Sequence, residues 1–452
     1  MIPMSLAEVA DVVGGEVHGD PAVVVTGPAY VDSRSPVPDG LFVAIVGERV
    51  DGHAYAAGAH AVLGSRPTEA PTVVVDDPVV ALGVLARHVV DRIPAVVLAL
   101  TGSQGKTGTK DYLASVLRQL AGADAVVATE GNGNNEVGVP LTVLRAGPET
   151  DFLVVEMGAR GIGHIAYLCG IAPPRIAAAL NVGTAHVGEF GGREQIARAK
   201  GEIVEALPAD GVAVLNADDA LVAAMASRTT GQVLTFGAAG AVSWGELELD
   251  ALGRPAFTLL HDDDAAPVRL QQTGAHQAQN ATAAAAMALA AGFALADVAD
   301  ALSTATAASR WRMEIAERAD GLVVVNDAYN ANPDSMRAAL EALVAIGRSG
   351  ARRTVAVLGE MRELGPEHDA GHRAVGADAV RLGVDVVVVV GPEAARIGDA
   401  AEAPGGPQVV RTEGRDEALA WLRQNAVAED VVLVKASRGA ALELVAEGLV
   451  AG

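Results

Sequence analysis

The segment that most restricts the fold is a glycine-rich loop between an apolar run and a helical pattern. Residues 95–100 are apolar, Thr-Gly-Ser-Gln-Gly-Lys-Thr follows at 101–107, and the helical pattern continues to Leu120. Glycines let backbone N–H groups turn toward an anion, and a helix N-terminus adds positive potential. Lys106 would reach the terminal phosphates, and the Thr107 hydroxyl would bind Mg²⁺. We therefore predict a nucleoside triphosphate site with these loop contacts: Gly102, Ser103, Gln104, Gly105, Lys106 and Thr107.

Further apolar runs predict parallel sheets and three domains. Each run is rich in Val or Ala and is separated from the next by a helix-like segment, as in buried parallel strands. The runs are 152–155, 176–180, 212–215, 322–325, 354–358, 386–390 and 431–434. A chain of 452 residues exceeds a single core. We expect a mixed α/β domain at 1–94 and two parallel α/β domains at 95–308 and 309–452.

Composition excludes several classes of function. The 56 acidic residues outnumber the 33 basic ones, and the resulting net charge of −23 repels nucleic acid. The one cysteine, Cys169, cannot form an internal disulfide or, alone, a zinc site. We find no export signal, and we interpret the longest apolar stretch, 281–296, as a buried helix. We expect a cytoplasmic monomer without nucleic-acid or membrane partners.

Polar side chains after the apolar runs are candidates for metal binding. Glu156 directly follows the run at 152–155, where it would hold Mg²⁺ beside the phosphate loop, or else cap a helix or face solvent. His186 follows the run at 176–180 and is either a metal ligand or an ordinary loop residue. Because arginine supplies most of the positive charge, each lysine is expected where an ammonium group has a specific task. The four lysines are Lys106, Lys110, Lys200 and Lys435.

Motifs along practically the whole chain resemble those of the Mur ligases, the ATP-dependent amide-forming enzymes of peptidoglycan synthesis. Besides the phosphate loop, they are Asp32-Ser33-Arg34, 47–53, 131–140, 155–159, 181–189, 199–202, 216–219, 326–333 and 357–361. They occur in the order that the family has. The resemblance implies a UDP-binding N-terminal domain, a central ATPase domain with a parallel sheet, and a C-terminal Rossmann-like domain that binds the incoming amine.

The resemblance also implies how the central domain works. Lys106 would contact the β- and γ-phosphates, while Thr107 and Glu156 would surround one Mg²⁺ ion and His186 would serve a second. Lys200 matches the lysine that CO₂ carbamylates in this family, which converts a cation into an oxygen ligand for metal. The implied catalytic residues are Lys106, Glu156, His186 and Lys200, and the implied metal ligands are Thr107, Glu156, His186 and Lys200.

Further residues are implied in substrate binding. Asn280 matches the asparagine on the adenine side, although Gln277 replaces the other asparagine of that block. Arg312 would neutralise the γ-phosphate, and Asp327 would bind the ribose. The implied contacts to the UDP substrate are Ser33, Arg34 and Asn135, and those to the acceptor are Asn330 and Asn332.

The final segment most resembles the family member that adds D-alanyl-D-alanine to a UDP-N-acetylmuramoyl (UDP-MurNAc) tripeptide. Asp334 stands where the diaminopimelate-adding member has an arginine, and an acid there would repel a free carboxylate. The implied reaction transfers the γ-phosphoryl group of ATP to the peptide carboxylate, and the dipeptide amine attacks the acyl phosphate. Two other classes stay open. One is an amide ligase of another pathway, such as a folate polyglutamate enzyme, and the other is a nucleotide-dependent switch.

Overall fold

Three β-sheets follow one another along the chain. The computed structural model describes residues 1–47, 50–183, 192–306 and 309–451, and within these ranges the large sheets have five, nine and six strands. A separate antiparallel ribbon pairs Met4–Ser5 (β1) with Val24–Val25 (β3). Each large sheet lies inside one of the three predicted segments. The prediction of a three-part α/β fold is confirmed, and the boundaries at 94/95 and 308/309 stay predictions.

The first sheet has the order β2-β7-β6-β5-β4, and every pair except β2 with β7 is parallel. Its strands are Glu16–His18 (β2), Ala29–Tyr30 (β4), Leu41–Val43 (β5), Ala61–Gly64 (β6) and Thr72–Val74 (β7), and its helices are Leu6–Val13 (α1) and Pro78–Val90 (α2). Leu82 and Leu85 of α2 are buried in an apolar core that also contains Ile165 and Leu168. The first segment therefore packs directly against the second.

The second sheet has the order β16-β15-β14-β13-β12-β11-β8-β10-β9. Its strands are Val96–Thr101 (β8), Val126–Ala128 (β9), Phe152–Glu156 (β10), Ile176–Ala179 (β11), Val212–Asn216 (β12), Gln232–Phe236 (β13), Val242–Leu249 (β14), Pro255–His261 (β15) and Asp264–Arg269 (β16). Strands β8 to β14 are parallel, while β14, β15 and β16 pair in antiparallel fashion. Because β10 and β11 flank β8, the loops after these three strands meet at one edge of the sheet.

Helices cover this sheet on both faces. They are Lys106–Ala121 (α3), Gly138–Val143 (α4), His164–Ile171 (α5), Arg193–Glu205 (α6), Ala220–Ala223 (α7), His276–Ala290 (α8) and Leu295–Thr304 (α9). The prediction of one buried helix over 281–296 is correct only in part. The alanines from 283 to 286 are buried in α8, but α8 ends at Ala290 and α9 begins at Leu295, with Gly292 at a φ of +96° in the turn between them. Among the described residues, no helix is both long enough and apolar enough to span a membrane.

The third sheet has the order β17-β18-β22-β19-β20-β21, and only β17 is antiparallel to its neighbour. Its strands are Glu314–Glu317 (β17), Val323–Asn326 (β18), Arg353–Leu358 (β19), Val386–Val390 (β20), Gln408–Thr412 (β21) and Asp430–Lys435 (β22). Its helices are Pro333–Gly350 (α10), His368–Leu382 (α11), Ala395–Ala401 (α12), Arg415–Asn425 (α13) and Glu443–Val450 (α14). Because β18 pairs with β22, the residues after β18 lie beside Lys435 at the end of β22.

Substitutions at two helical glycines should have opposite effects on stability. A Cβ on Gly376 of α11 would lie 2.1 Å from the carbonyl oxygen of Ile397, whereas a Cβ on Gly170 of α5 would meet nothing within 4 Å. We expect Gly376→Ala to destabilise the protein by about 1–3 kcal/mol, because backbone must move. Gly170→Ala should stabilise it by up to about 1 kcal/mol through helix propensity. Thermal unfolding of both variants tests this, and equal midpoints would contradict the packing of α11 on α12.

Candidate active site

The loops after three neighbouring strands form the floor of the candidate site. Glu156, the last residue of β10, lies in register with Leu100 of β8, and Ala179 of β11 lies in register with Thr101. The phosphate loop, the Glu156 carboxylate and the loop that begins at Leu180 therefore leave the sheet side by side. Ligands of open α/β sheets bind at this carboxyl edge.

The phosphate loop is held by an asparagine side chain from the neighbouring loop. Asn181 Oδ1 accepts from the backbone N–H groups of Ser103 and Gln104, both at 3.0 Å, and its Nδ2 donates to the Gln104 carbonyl at 3.1 Å. These two N–H groups are therefore engaged by Asn181. The N–H groups that follow, at the start of α3, are left for a phosphate. Asn181 lies in a predicted motif, but the sequence analysis gave it no role.

The loop ends at Gly105, where the backbone requires glycine. Its φ of +77° is in the left-handed region, and a Cβ there would lie 2.5 Å from Oδ1 of Asn280. Asn280 also donates from Nδ2 to Oε1 of Gln277 at 3.0 Å. The structure thus places Asn280 directly over the end of the phosphate loop.

Lys106 begins α3 and folds back over the loop. Its Nζ donates to the Gly102 carbonyl at 2.7 Å. Burial lowers the pKa of Lys106, and the neighbouring Arg312 lowers it further, while Glu156 raises it. A terminal phosphate here would relieve the repulsion between the two cations, because it would lie between them as a counter-anion.

Glu156 is a buried carboxylate, 2% exposed, whose two oxygens both accept hydrogen bonds. Thr107 Oγ1 donates to Oε2 at 2.9 Å, and Asn134 Nδ2 donates to Oε1 at 2.8 Å. A carboxylate next to a threonine hydroxyl offers the hard oxygen ligands that Mg²⁺ prefers. The donor set fits the predicted metal role of Thr107 and Glu156, and Asn134 is a further residue that the sequence analysis did not single out.

Lys200 of α6 lines the same cleft as Glu156 and Lys106. It is 6% exposed, and its pKa is lowered well below the usual value, first by burial and then by Lys106, while Glu156 raises it. A buried ammonium beside a second ammonium is unfavourable. Conversion of Lys200 to an anionic carbamate would remove that repulsion, so the surroundings fit the predicted modification.

The helix that carries Lys200, α6, is fixed from two sides. The guanidinium of Arg228 donates to the carbonyls of Ala197 and Arg198 at 3.0 and 2.8 Å, and a Cβ on Gly201 would clash with it. Glu202 accepts from the first N–H groups of α5, those of Gly163 and Ala166, at 2.6 and 3.0 Å. Both contacts hold Lys200 in a set position relative to Glu156.

Arg312, just before the first strand of the third sheet, lines the same cleft as the phosphate loop. Its guanidinium stacks 4.2 Å from the ring centre of Tyr329, and its buried Nε has no hydrogen-bond partner among the described residues. A buried N–H of this kind is costly unless a ligand accepts from it. The prediction that Arg312 contacts an anionic ligand fits this geometry.

Asp327 and Lys435 form an ion pair at the end of β18 and β22. Lys435 Nζ donates to Asp327 Oδ2 at 2.6 Å and to the Asn330 carbonyl at 2.9 Å, and Met313 N–H donates to Asp327 Oδ1 at 3.1 Å. Lys435 thereby ties the predicted ribose acid to the predicted acceptor residue Asn330. The sequence analysis names Lys435 as one of the four lysines. Its pairing with Asp327 depends on the order of the strands, which the sequence does not reveal.

A single cleft of about 720 Å³ brings most of the predicted residues together. It is lined from the second sheet by Gly102, Ser103, Gln104, Gly105, Lys106, Thr107, Asn135, Glu156, Lys200 and Asn280, and from the third by Arg312, Asp327, Asn330 and Asn332. Asn332 lines it while its side chain accepts from Ser335 N–H at 2.9 Å, as the N-cap of α10. The substrate roles of all these residues stay predictions.

Two predicted residues, Ser33 and Arg34, do not line this cleft, and a third, His186, has no described position. Ser33 and Arg34 belong to the first segment, away from this cleft, where the Arg34 guanidinium is exposed and pairs with Asp32 at 2.7 Å. His186 lies outside the described residues. The second metal ligand is therefore neither supported nor contradicted by the geometry.

Fold and site together define a phosphate-loop nucleotide-binding protein of the α/β class. Two family models match the chain, "Mur ligase middle domain" over residues 100–288 and "Mur ligase, glutamate ligase domain" over residues 311–438. The chain belongs to the Mur ligase family and is a ligase.

Individual relatives agree with this assignment. The chain is 46% identical to the UDP-N-acetylmuramoyl-tripeptide--D-alanyl-D-alanine ligase of Mycobacterium tuberculosis, with 100% of this chain and 98% of that protein covered. A crystal structure of MurF from Acinetobacter baumannii superposes with a TM-score of 0.88 at 32% identity, covering 100% and 99% of the two chains. MurF ligase from Thermotoga maritima, in complex with ADP, gives 0.80 at 30% identity, covering 94% and 97%.

The support that Asn181 gives to the phosphate loop predicts a specific loss. We expect Asn181→Ala to lower kcat/KM for ATP by about 10²-fold, since small displacements of a phosphate-binding group have effects of this size. Asn216→Ala is the control, because Asn216 anchors the carbonyl of Leu180 at 2.7 Å without touching the phosphate loop. Equal losses in both variants would mean that general loosening, rather than the loop contacts, is responsible.

Proposed function

We propose that this ligase adds D-alanyl-D-alanine to UDP-MurNAc-tripeptide with ATP, giving UDP-MurNAc-pentapeptide, ADP and phosphate. The observation that carries the proposal is the shared cleft, in which the phosphate loop faces Arg312 and Asp327 of the third sheet and the acceptor residue Asn330. The names and high identity of the relatives support the choice of substrates. We assign the reaction to the cytoplasm, where ATP is available.

Phosphoryl transfer is the first step. The peptide carboxylate attacks the γ-phosphorus of ATP. The bond from the γ-phosphorus to the oxygen that bridges the β- and γ-phosphates breaks, and an acyl phosphate and ADP result. Lys106 and Arg312 line the cleft at the phosphate loop and offset the negative charge of the transferred group. Asn280, above Gly105, and Asp327 hold the nucleotide in line with the attacking oxygen.

Metal ions would assist this step by neutralising phosphate oxygens. Thr107 and Glu156 would hold one ion, and His186 with Lys200 would hold another. For the second role the neutral Lys200 amine reacts with CO₂ to give a carbamate and a proton. The lowered pKa of Lys200 favours that reaction, because only the neutral amine is nucleophilic.

Amide formation is the second step. The neutral dipeptide amine attacks the acyl carbon to give a tetrahedral intermediate. Its nitrogen then loses a proton, and the bond from the acyl carbon to the phosphate oxygen breaks as inorganic phosphate leaves. We assign acceptor binding to Asn330 and Asn332, beside the N-terminus of α10, where positive potential suits the dipeptide carboxylate. Ser33 and Arg34 of the first segment and Asn135 of the second bind the UDP substrate. Enclosure between the sheets keeps water from the acyl phosphate.

The carbamate assignment predicts chemical rescue. Lys200→Ala should lose at least about 10²-fold in rate, and acetate or formate should partly restore it by supplying the missing oxygen ligands. Phosphate release measures activity, and ¹³C NMR after addition of ¹³C-bicarbonate detects the carbamate in the unmodified chain. Arg198→Ala, an exposed residue on the same helix, is the control. Full activity of Lys200→Ala would exclude the role.

The acceptor assignment predicts strong selectivity. We expect kcat/KM for D-alanyl-D-alanine to exceed that for D-alanine, L-lysine or L-glutamate by up to about 10⁴-fold, because a single amino acid leaves dipeptide-binding polar groups unpaired. The assay is phosphate release at saturating ATP and UDP-MurNAc-tripeptide. A better rate with glutamate or a diamino acid would overturn the acceptor while leaving the acyl-phosphate step intact.

A further inference from the structure

Asp111 is a buried carboxylate that lines the cleft and has no role in the proposed reaction. It lies on α3 and is 5% exposed, and it forms an ion pair with the neighbouring Lys110, which is 4% exposed. Its other oxygen, Oδ2, accepts from the backbone N–H of Ser309 at 3.2 Å. Because a buried ion pair adds little net stability compared with apolar residues of similar size, another reason for this one is expected.

Ser309 begins the connector, residues 309–313, which leads into the third sheet and carries Arg312. Among the described residues, the bond from Ser309 to Asp111 is the only hydrogen bond between the connector and the second segment. On its other side the connector is tied to the third segment, where Tyr329 N–H donates to the carbonyl next to Arg312 at 3.2 Å. The position of the connector relative to α3 therefore depends on Asp111.

The backbone on both sides of Arg312 is strained. The φ of Trp311 is +59° and that of Met313 is +50°, a region that bulky side chains rarely adopt. Such conformations persist only where the surroundings fix them, and they cluster at functional positions. Met313 N–H donates to Asp327 Oδ1 at 3.1 Å, which helps to hold this shape. Since the connector has one fixed conformation, a shift at Ser309 is passed on to Arg312.

The two cations at the phosphate loop are joined by a path through this bond. Lys106 starts α3, and Asp111 lies five residues later on the same helix, about 7.5 Å along its axis. From Asp111 the path crosses to Ser309 and reaches Arg312 three residues further on. Burial lowers the pKa of Lys106 and Arg312 lowers it further, so the two cations are near each other. The bond from Ser309 to Asp111 is the noncovalent link that sets their spacing.

We infer that Asp111 is a positioning residue, which holds Arg312 at the γ-phosphate of ATP through the N–H of Ser309. The inference rests on the proposed function, which assigns Arg312 to that phosphate, and it adds the residue that fixes its place. ADP lacks the γ-phosphate. Loss of Asp111 should therefore weaken the binding of a triphosphate and leave the binding of ADP nearly unchanged, whereas a purely structural residue would affect both nucleotides alike.

The test compares Asp111→Ala with a control on the same helix. Gln119→Ala is the matched control, because Gln119 Nε2 donates to the Ala301 carbonyl at 3.0 Å and its Oε1 accepts from Thr304 Oγ1 at 2.8 Å. Gln119 thus joins α3 to the segment before the connector without touching the connector. Asp111→Ala leaves the Lys110 ammonium buried without its counter-ion, so Lys110→Met/Asp111→Ala, which removes both charges, is made as well. Thermal unfolding shows whether each variant folds.

Calorimetry gives Kd for Mg–ADP and for Mg–AMP-PNP, a triphosphate analogue with nitrogen between the β- and γ-phosphates. We expect both variants that lack Asp111 to raise Kd for AMP-PNP about tenfold, as for one weakened bond to a charged group, and Kd for ADP by less than about twofold. Phosphate release at saturating substrates should fall by about 10²-fold. Gln119→Ala should keep the ratio of the two Kd values, even where its unfolding midpoint is lower.

Arg312→Ala tests whether Asp111 acts through Arg312. Alone it should abolish the preference for AMP-PNP over ADP, because the cation at the γ-phosphate is gone. Adding Asp111→Ala should then change neither Kd further, since no guanidinium remains to be placed. Losses that add in the double variant, or an unchanged ratio of the two Kd values in the variants that lack Asp111, would overturn the inference and leave Asp111 as a structural residue.

Failure of this inference and failure of the proposed function give different results. The calorimetry needs neither UDP-MurNAc-tripeptide nor D-alanyl-D-alanine. Coupled losses at Asp111 and Arg312, together with no dipeptide-dependent phosphate release, would reject the proposed acceptor and support the role of Asp111. Normal dipeptide-dependent release in Asp111→Ala would overturn the inference alone. An Arg312→Ala variant with unchanged affinity for AMP-PNP would overturn both the inference and the assignment of Arg312 to the γ-phosphate.

Discussion

The buried carboxylate of Glu156 is the charge on which the arrangement of the cleft depends. Burial lowers the pKa of both Lys106 and Lys200, and the field of Glu156 raises the pKa of both. A buried ion is tolerated only when its hydrogen-bonding capacity is filled. Thr107 in the first turn of α3 and Asn134 in the loop after β9 each donate one hydrogen bond to Glu156, one to each oxygen. The parallel order β11-β8-β10 makes this possible, because it ends three strands at the same edge.

The third sheet adds cations to this edge. Arg312, Lys435 and Arg438 line the same cleft as Lys106 and Lys200, in a chain whose net charge is −23. The lining also contains acidic side chains such as Glu156 and Asp327, so attraction for a phosphate is local to the phosphate loop, where Lys106 and Arg312 lie near each other. The unpartnered Nε of Arg312 and the pKa of Lys106, which Arg312 lowers, both indicate a site that is more stable with a phosphate bound. The geometry is thus one of preorganisation for a polyanion.

Much of the fold could be predicted from the sequence, because its central strands are nearly continuous apolar runs. Strands β8, β10, β11 and β12 and strands β18, β19, β20 and β22 all coincide with predicted runs. The antiparallel arm was not predicted, because in β15 buried and partly exposed residues alternate and the apolar signal is diluted. Strand β9 is too short to stand out, and β21 has exposed and partly buried residues at four of its five positions.

Site residues that lie close to a strand end in the sequence could be predicted. Residues whose hydrogen-bond partners depend on which strands are neighbours could not. Lys106 and Thr107 come after the short loop that follows β8, and Glu156 ends β10, so local sequence is enough to bring them to the same edge of the sheet. The partners of Asn181 and Lys435 depend on which strands are neighbours, and local sequence carries no information about that order. Asp111 lies in a predicted helix, but its bond to Ser309 joins residues far apart in the sequence, so its role could not be anticipated.

The distribution of lysines links composition to mechanism. Lys106, Lys200 and Lys435 line the cleft, and Lys110, on the phosphate-loop helix, pairs with Asp111. Asp111 in turn accepts from the N–H of Ser309 at 3.2 Å, next to the segment that carries Arg312.

Arginine supplies the other 29 basic residues. Arginine stays charged in proteins, whereas a buried lysine can lose its proton and react, as the carbamate at Lys200 requires. Lysine also presents a compact point charge that fits between Asp327 and the Asn330 carbonyl, where a planar guanidinium would need a wider space. Arginine therefore supplies most of the positive charge of the chain, while three of the four lysines line the cleft, where size or loss of the proton matters.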